Sequence, residues 1–247
     1  MRKIYLVPNL VTTANMFCGF FSIVASIEND FLIAAWAILV AAIFDMLDGR
    51  IARLAKATSQ FGVEYDSLSD LVSFGLAPAL LMYQWALEPY GRLGLLASFF
   101  YVCCGALRLA RFNIHTGKVA KSYFEGVASP IAAGSVSTFV IFQSALIWPN
   151  DLTWVSRETW VLTQALGLGS LMVSTIPFPS FKDLNWRSRS SFGYLMVAVL
   201  CMILIAVRPE VTLFLLNTAY LVVSLGYSVF RLFKPKVTSV EKFIDAE

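Results

Sequence analysis

Charge is scarce in this chain. Of its 247 residues 14% are Asp, Glu, Lys or Arg and 58% are apolar, against about 25% and 45–50% in soluble domains. No stretch has a soluble domain's composition, which excludes one or two ordinary globular domains despite a length that would hold them. Internal repeats and low-complexity segments are absent too, so the apolar blocks themselves are the units of organisation. Cysteine is sparse: Cys18, Cys103, Cys104 and Cys201 all lie in apolar blocks without a C-x-x-C pair, and they read as small packing residues. The single histidine, His115, reads as a loop residue near a membrane interface. No small-residue cleavage site follows Met1-Arg2-Lys3, so the first apolar segment is expected to be retained.

What is present is a series of long apolar blocks, and the mean hydropathy is +0.70. They predict an all-α, polytopic integral membrane bundle with eight spans, at 8–27, 31–49, 67–87, 93–112, 130–148, 158–178, 191–207 and 210–231. Turn and charge signals separate them: Glu28-Asn29-Asp30, Glu88-Pro89-Tyr90-Gly91, Pro149-Asn150-Asp151 and Arg208-Pro209-Glu210. The whole chain, 1–247, reads as one membrane domain. Residues 136–231 add further spans with no legible motif, and 232–247 form a short solvated tail.

The net charge is +3, and its placement is more telling than its size. With a cytoplasmic N-terminus, sixteen of the nineteen Lys and Arg fall in inside segments, and Arg92, Arg157 and Arg208 fall outside. The positive-inside rule then puts both termini in the cytoplasm. Trp148, Trp154, Trp160 and Tyr90 fall near the outer boundary, where aromatic belts anchor membrane proteins.

Against this background four aspartates stand out. Asp45, Asp48, Asp66 and Asp70 are spaced D-x2-D-G-x2-A-R-x8-G-x3-D-x3-D. Each costs about 2.5–3.5 kcal/mol to place in an apolar span. Arg50, Arg53 and Lys56 lie nearby but do not account for so regular a spacing. On helices, Asp45, Asp48 and Ala52 form one stripe, and Asp66 and Asp70 another. A connection near Ala57-Thr58-Ser59-Gln60 would fold the stripes face to face around one or two divalent metals. Gly49 and Gly62 allow another group close to the backbone, Ala52 keeps the stripe shallow enough for a nucleotide, and Arg53 offers phosphate a planar cation. Metals flanked by carboxylates suit displacement at phosphorus, with one carboxylate as general base on an attacking hydroxyl. The alternative is an ion or proton pathway in a transporter. The x8 gap, both glycines and the Ala-Arg pair speak against it.

The pattern, with Ser59 at a Ser/Thr-favoured place, resembles the signature of the CDP-alcohol phosphatidyltransferase family. So do Pro8-Asn9-x-x-Thr12, Asn15-x-x-x-Gly19, and Ala106-Leu107-Arg108-Leu109-Ala110-Arg111-Phe112-Asn113 followed by Tyr123-Phe124-x-Gly126-x-x-Ser129-Pro130, the last two like its serine-using branch. The likeness covers about 7–135, and it places the catalytic core at 8–135. It implies a homodimeric enzyme with six core helices, here plus two, in a bacterial inner (cell) membrane with the active site cytoplasmic. It implies Mg²⁺ or Mn²⁺, two ions, on Asp45, Asp48, Asp66 and Asp70, with Asp70 also the base. Asn9, Thr12, Gly49, Ala52, Arg53, Ser59 and Gly62 would bind CDP-diacylglycerol, and CMP would be released. Arg108, Arg111 and Asn113 would hold L-serine, although the two arginines also read as membrane anchors touching lipid headgroups. Glycerol 3-phosphate or an inositol phosphate are the other acceptors of the class. No nucleic-acid partner is expected.

Overall fold

The fold is that of a computed structural model, which describes residues 6–54, 59–115, 124–145, 156–178 and 191–233. Some of the residues singled out in the sequence fall beyond these ranges: Ala57 and Thr58, Trp148 and Trp154, and the tail from 234 lie outside the described residues. Among the described residues the chain is almost wholly helical. α1 (Leu6–Ile27) and α2 (Phe31–Leu54) form a hairpin around a tight turn at Asn29, whose φ is 65°. α3 (Gln60–Asp70) runs through a π-helical segment (Leu71–Leu76) into α4 (Ala77–Met82), and a second π-helical segment (Tyr83–Leu87) follows. Then come α5 (Arg92–His115), α6 (Ser129–Ala145), α7 (Arg157–Val173), α8 (Ser191–Val207) and α9 (Pro209–Phe233). Counting α3 to α4 as one rod, these are eight rods, at the places where the apolar blocks predicted spans.

Two boundaries differ from the expected ones in a way that matters. α2 continues to Leu54 instead of stopping at 49, and the third rod starts at Gln60 instead of 67. Both motif stripes therefore sit on helix. Ser59 caps α3: its Oγ accepts from the Gly62 N–H at 3.0 Å. Such a cap satisfies one of the otherwise orphaned first-turn donors.

Among the described residues, four helices are long and apolar enough to cross a membrane: Val7–Ile27, Phe31–Leu54, Arg92–Ile114 and Pro209–Ser228. The described parts of α6, α7 and α8 are 17 residues each, about 26 Å against a hydrocarbon layer of about 30 Å. Large apolar side chains such as Leu10, Phe17, Phe20, Leu95, Phe99 and Met202 point outward. On a membrane protein such side chains meet lipid and need no protein partner.

The interior holds two apolar clusters. One joins α1, α2, α4 and α6 through Ala25, Ala34, Ala35, Ile38, Ala41, Phe74, Leu81 and Ile141; the other gathers Met82, Leu87, Tyr101, Val136, Val161 and Met172 from α4 to α7. The many alanines let helix backbones approach, as membrane interfaces require. Backbone groups in lipid must be satisfied within the protein. Pro78 lacks the N–H that would bond the Phe74 carbonyl one turn earlier, and the buried Tyr101 hydroxyl donates to that carbonyl instead, at 3.3 Å. The Ala77 N–H meanwhile reaches back five residues to Val72, which gives the π geometry.

Among the described residues a two-residue antiparallel ladder, Phe124–Glu125 with Pro177–Phe178, departs from helix. Gly126 follows at φ 79°, a conformation that favours glycine. A Cβ there would lie 2.6 Å from the Met172 carbonyl oxygen. The Val127 N–H bonds the Leu171 carbonyl at 3.2 Å, so this segment straps the end of α7 and leads into α6, which packs against α2 and α9. At the opposite end Tyr90 Oη lies 3.1 Å from Thr159 Oγ1, and Arg157 sits over the Trp85 ring at 5.3 Å.

Candidate active site

α1, α2 and α3 converge on the aspartates. One carboxylate oxygen from each of Asp45, Asp48 and Asp66 lies within 4.8 Å of the others. Asp48 is 4% exposed, and its Oδ2, like Oδ1 of Asp66, is buried with no hydrogen-bond partner. Unpaired carboxylate oxygens facing like charges are costly to hold. Three hard oxygen donors in that arrangement fit a divalent cation. Asp70 stands outside this trio, facing Asp45. Its Oδ1 accepts from Nδ2 of Asn15 at 3.3 Å.

The residues expected to meet a nucleotide border the cluster. A Cβ at Gly49 would meet nothing nearer than Nη2 of Arg53 at 4.0 Å, so the space over that turn is open, with the exposed Arg53 guanidinium at its side. Ala52, half-buried, leaves the same face low. Gly62 is crowded from within: a Cβ would lie 3.2 Å from Ser59 Oγ and 3.6 Å from Asn9 Oδ1. That glycine admits α1 as well as any ligand. Thr12 is buried beside Asp48, and its Oγ1 donates to the Pro8 carbonyl at 3.2 Å.

The three acceptor candidates are not brought together. Arg108 lies within range of the charges of Asp70 and Asp45. Its Nη1 donates to Ser129 Oγ at 2.7 Å, while its Nε is buried without a partner. Arg111 donates instead to the end of α7: Nη1 to the Val173 carbonyl at 2.8 Å, and Nη2 to Ser174 at 3.2 Å and Met172 at 3.4 Å. Asn113, five residues from Arg108, is turned about 140° around α5. Its Nδ2 donates to Glu64 Oε2 at 3.2 Å and to Ser67 Oγ at 3.0 Å. There it lines a groove of ≈ 300 Å³ between α3 and α5, floored by Leu68, Leu71, Ala106, Leu109 and Ala110.

Sequence reasoning assigned no site role to Asn15, Ser69, Ser73 or Ser129. Ser69 Oγ donates to the Thr12 carbonyl at 3.1 Å, and Ser73 Oγ to the Asn15 carbonyl at 3.0 Å, tying α3 to α1 on both sides of Asp70. Gly19 permits the contact: a Cβ there would lie 2.6 Å from Ser73 Cα. The signal was in the sequence, since Thr12, Asn15 and Gly19 fall at offsets 0, 3 and 7 on one face of α1.

Known proteins carry the same pattern. The profile of the CDP-alcohol phosphatidyltransferase family matches residues 5–176, from α1 through α7. A CDP-diacylglycerol–serine O-phosphatidyltransferase of Helicobacter pylori is 37% identical over 223 residues, 90% of each chain. One from Bacillus subtilis is 34% identical over 176 residues, 71% of this chain and 91% of its own. An archaetidylserine synthase of Methanothermobacter thermautotrophicus is 35% identical over 174 residues, 70% of this chain and 69% of its own. The clustered aspartates, the open face over Gly49 and the matches along most of the sequence lead to one assignment: the chain belongs to the CDP-alcohol phosphatidyltransferase family.

Proposed function

We propose that the protein transfers a phosphatidyl group from CDP-diacylglycerol to the hydroxyl of L-serine, giving phosphatidylserine and CMP. The observation that carries this reading is the carboxylate trio with its two orphaned oxygens beside Asp70. The names of the relatives support serine as acceptor. A divalent cation, Mg²⁺ or Mn²⁺, held by Asp45, Asp48 and Asp66, with Asp70 contributing to a second ion, would neutralise the diphosphate and stabilise the departing CMP. Asp70 accepts the proton of the serine hydroxyl as that oxygen bonds to the lipid-side phosphorus and the bond from phosphorus to CMP breaks. Asn9, Thr12, Ser59 and Arg53 surround the nucleotide and its phosphates, which lie over the low face of Gly49, Ala52 and Gly62. Arg108 takes the serine carboxylate through its unpartnered Nε–H, steadied by Ser129. Arg111 holds the end of α7, and Asn113 belongs to the neighbouring groove. The enzyme works as a homodimer of eight-span subunits in a bacterial inner membrane, with its active site and termini cytoplasmic.

Release of CMP by purified protein from CDP-diacylglycerol, with serine, glycerol 3-phosphate and inositol phosphate as acceptors, tests the reading. Turnover with serine above the others supports it. A better rate with glycerol 3-phosphate would remove the serine assignment and leave the transferase. An absence of CMP binding would return the aspartates to a transporter.

The two arginines separate in their expected effects. Arg108→Ala should raise the KM for serine about 30- to 150-fold, the equivalent of a lost charged hydrogen bond of about 2–3 kcal/mol, with little change for CDP-diacylglycerol. Arg111→Ala should instead lower thermal stability, by about 1–2 kcal/mol at the exposed end of α7, and leave the serine KM near wild type. Kinetics on both variants beside their melting curves check this, and the reverse pattern would exchange the two roles.

Topology is tested separately. In a cysteine-free background, an impermeant thiol reagent added outside intact cells should label Glu88→Cys and spare Ile114→Cys. Labelling of Ile114→Cys alone would invert the orientation and move the chemistry to the other face.

A further inference from the structure

We infer that Asn15 is a positioning residue for the reaction: its side-chain amide fixes one oxygen of Asp70 so that the other faces the acceptor hydroxyl. This rests on the reading of Asp70 as base.

Asn15 is fully buried in α1, and its Nδ2 donates to Asp70 Oδ1 at 3.3 Å. Its own Oδ1 is buried without a partner. A buried amide left half-satisfied costs stability, so packing alone gives no account of an asparagine here. An apolar side chain of the same size would fill the place at lower cost. What asparagine adds is an amide donor that reaches Asp70.

The surroundings make that donor rigid. Ser69 and Ser73 bond the Thr12 and Asn15 carbonyls, so α1 and the third rod are held in register one residue before and three residues after Asp70. Gly19 removes the side chain that would hold them apart. The π-helical segment begins at Leu71, directly after Asp70, and such segments recur at functional sites. A carboxylate held at Oδ1 and on a fixed backbone keeps Oδ2 in one place. The transfer then balances simply: the acceptor O–H breaks, its proton joins Oδ2, the acceptor oxygen bonds to phosphorus, and CMP leaves with the broken P–O pair.

Misplacing a reacting group by about 1 Å can cost roughly 100-fold. Asn15→Leu keeps the branched outline of the side chain, with bulkier methyl ends, and removes both the donor and the orphaned oxygen. It should lower kcat about 10- to 100-fold. Both KM values and the affinity for CMP should stay within about threefold. Asn15→Ala, which leaves a small void, should lose kcat to a similar extent even if it melts earlier. Turnover of Asn15→Leu within twofold of wild type would overturn the inference, as would a loss shared equally by kcat and CMP affinity. Asp70→Asn is run beside them. If it turns over normally the base assignment fails; if it is inactive while Asn15→Leu is fully active, only the positioning role fails.

Discussion

Asp70→Asn is expected to abolish phosphatidyl transfer and leave CMP binding measurable. The substitution is nearly isosteric, keeps an oxygen for the Asn15 amide to meet, and leaves Asp45, Asp48 and Asp66 in place. What it removes is the basicity that takes the serine proton. A positioned general base contributes about 10²- to 10⁴-fold, and turnover should fall by at least that factor. CMP affinity in the presence of Mn²⁺ should remain within several-fold of wild type. CMP release and equilibrium CMP binding on the same preparation give the two numbers. Normal turnover would show that another group accepts the proton; a complete loss of CMP binding would make Asp70 an essential ligand of the nucleotide-bearing metal.

Asp48→Asn should behave differently, and its effect on stability should change sign with metal. Asp48 is the most buried member of the trio, and one of its oxygens has no partner but the neighbouring carboxylates. In the presence of a chelator, removing one of several crowded negative charges relieves repulsion, so the variant should melt at or above the wild-type temperature. With Mn²⁺ at about 100 times its Kd, wild type should gain about 2.7 kcal/mol by linkage, and the variant should gain far less. Transfer and CMP affinity should fall together by about 10²-fold or more, because the diphosphate loses its counter-charge. Melting curves with and without Mn²⁺ check the crossover. If Mn²⁺ stabilised both proteins equally, the trio would not be the metal site.

Much of this molecule is legible in its sequence. The rods follow the apolar blocks because a lipid-facing helix is recorded in composition alone, with no partner needed to explain its surface. The pairing of Asp45 with Asp48 and of Asp66 with Asp70 followed from helical periodicity, and the identity of the family from the fixed spacing around them. The local cap at Ser59 is of the same kind, since it spans only three residues.

The third rod was harder. Its first π segment runs into Pro78, and the carbonyl that Pro78 leaves without a helical donor is satisfied by Tyr101, 27 residues away. The acceptor residues show the limit most clearly. Arg108, Arg111 and Asn113 are close in sequence, chemically suitable, and read as one pocket. Packing gives Arg108 to Ser129, within range of the Asp70 and Asp45 charges, Arg111 to the end of α7 and Asn113 to the groove against α3. Spacing fixes only the angle between side chains around α5; which neighbour fills each angle depends on where α3, α6 and α7 dock. The bond from Asn15 to Asp70 joins residues 55 apart for the same reason. Helices, their stripes and the chemistry of the motif are written locally, in composition and spacing. Which polar side chains around the motif meet one another is set by contacts between helices distant in the chain, and those no local spacing encodes.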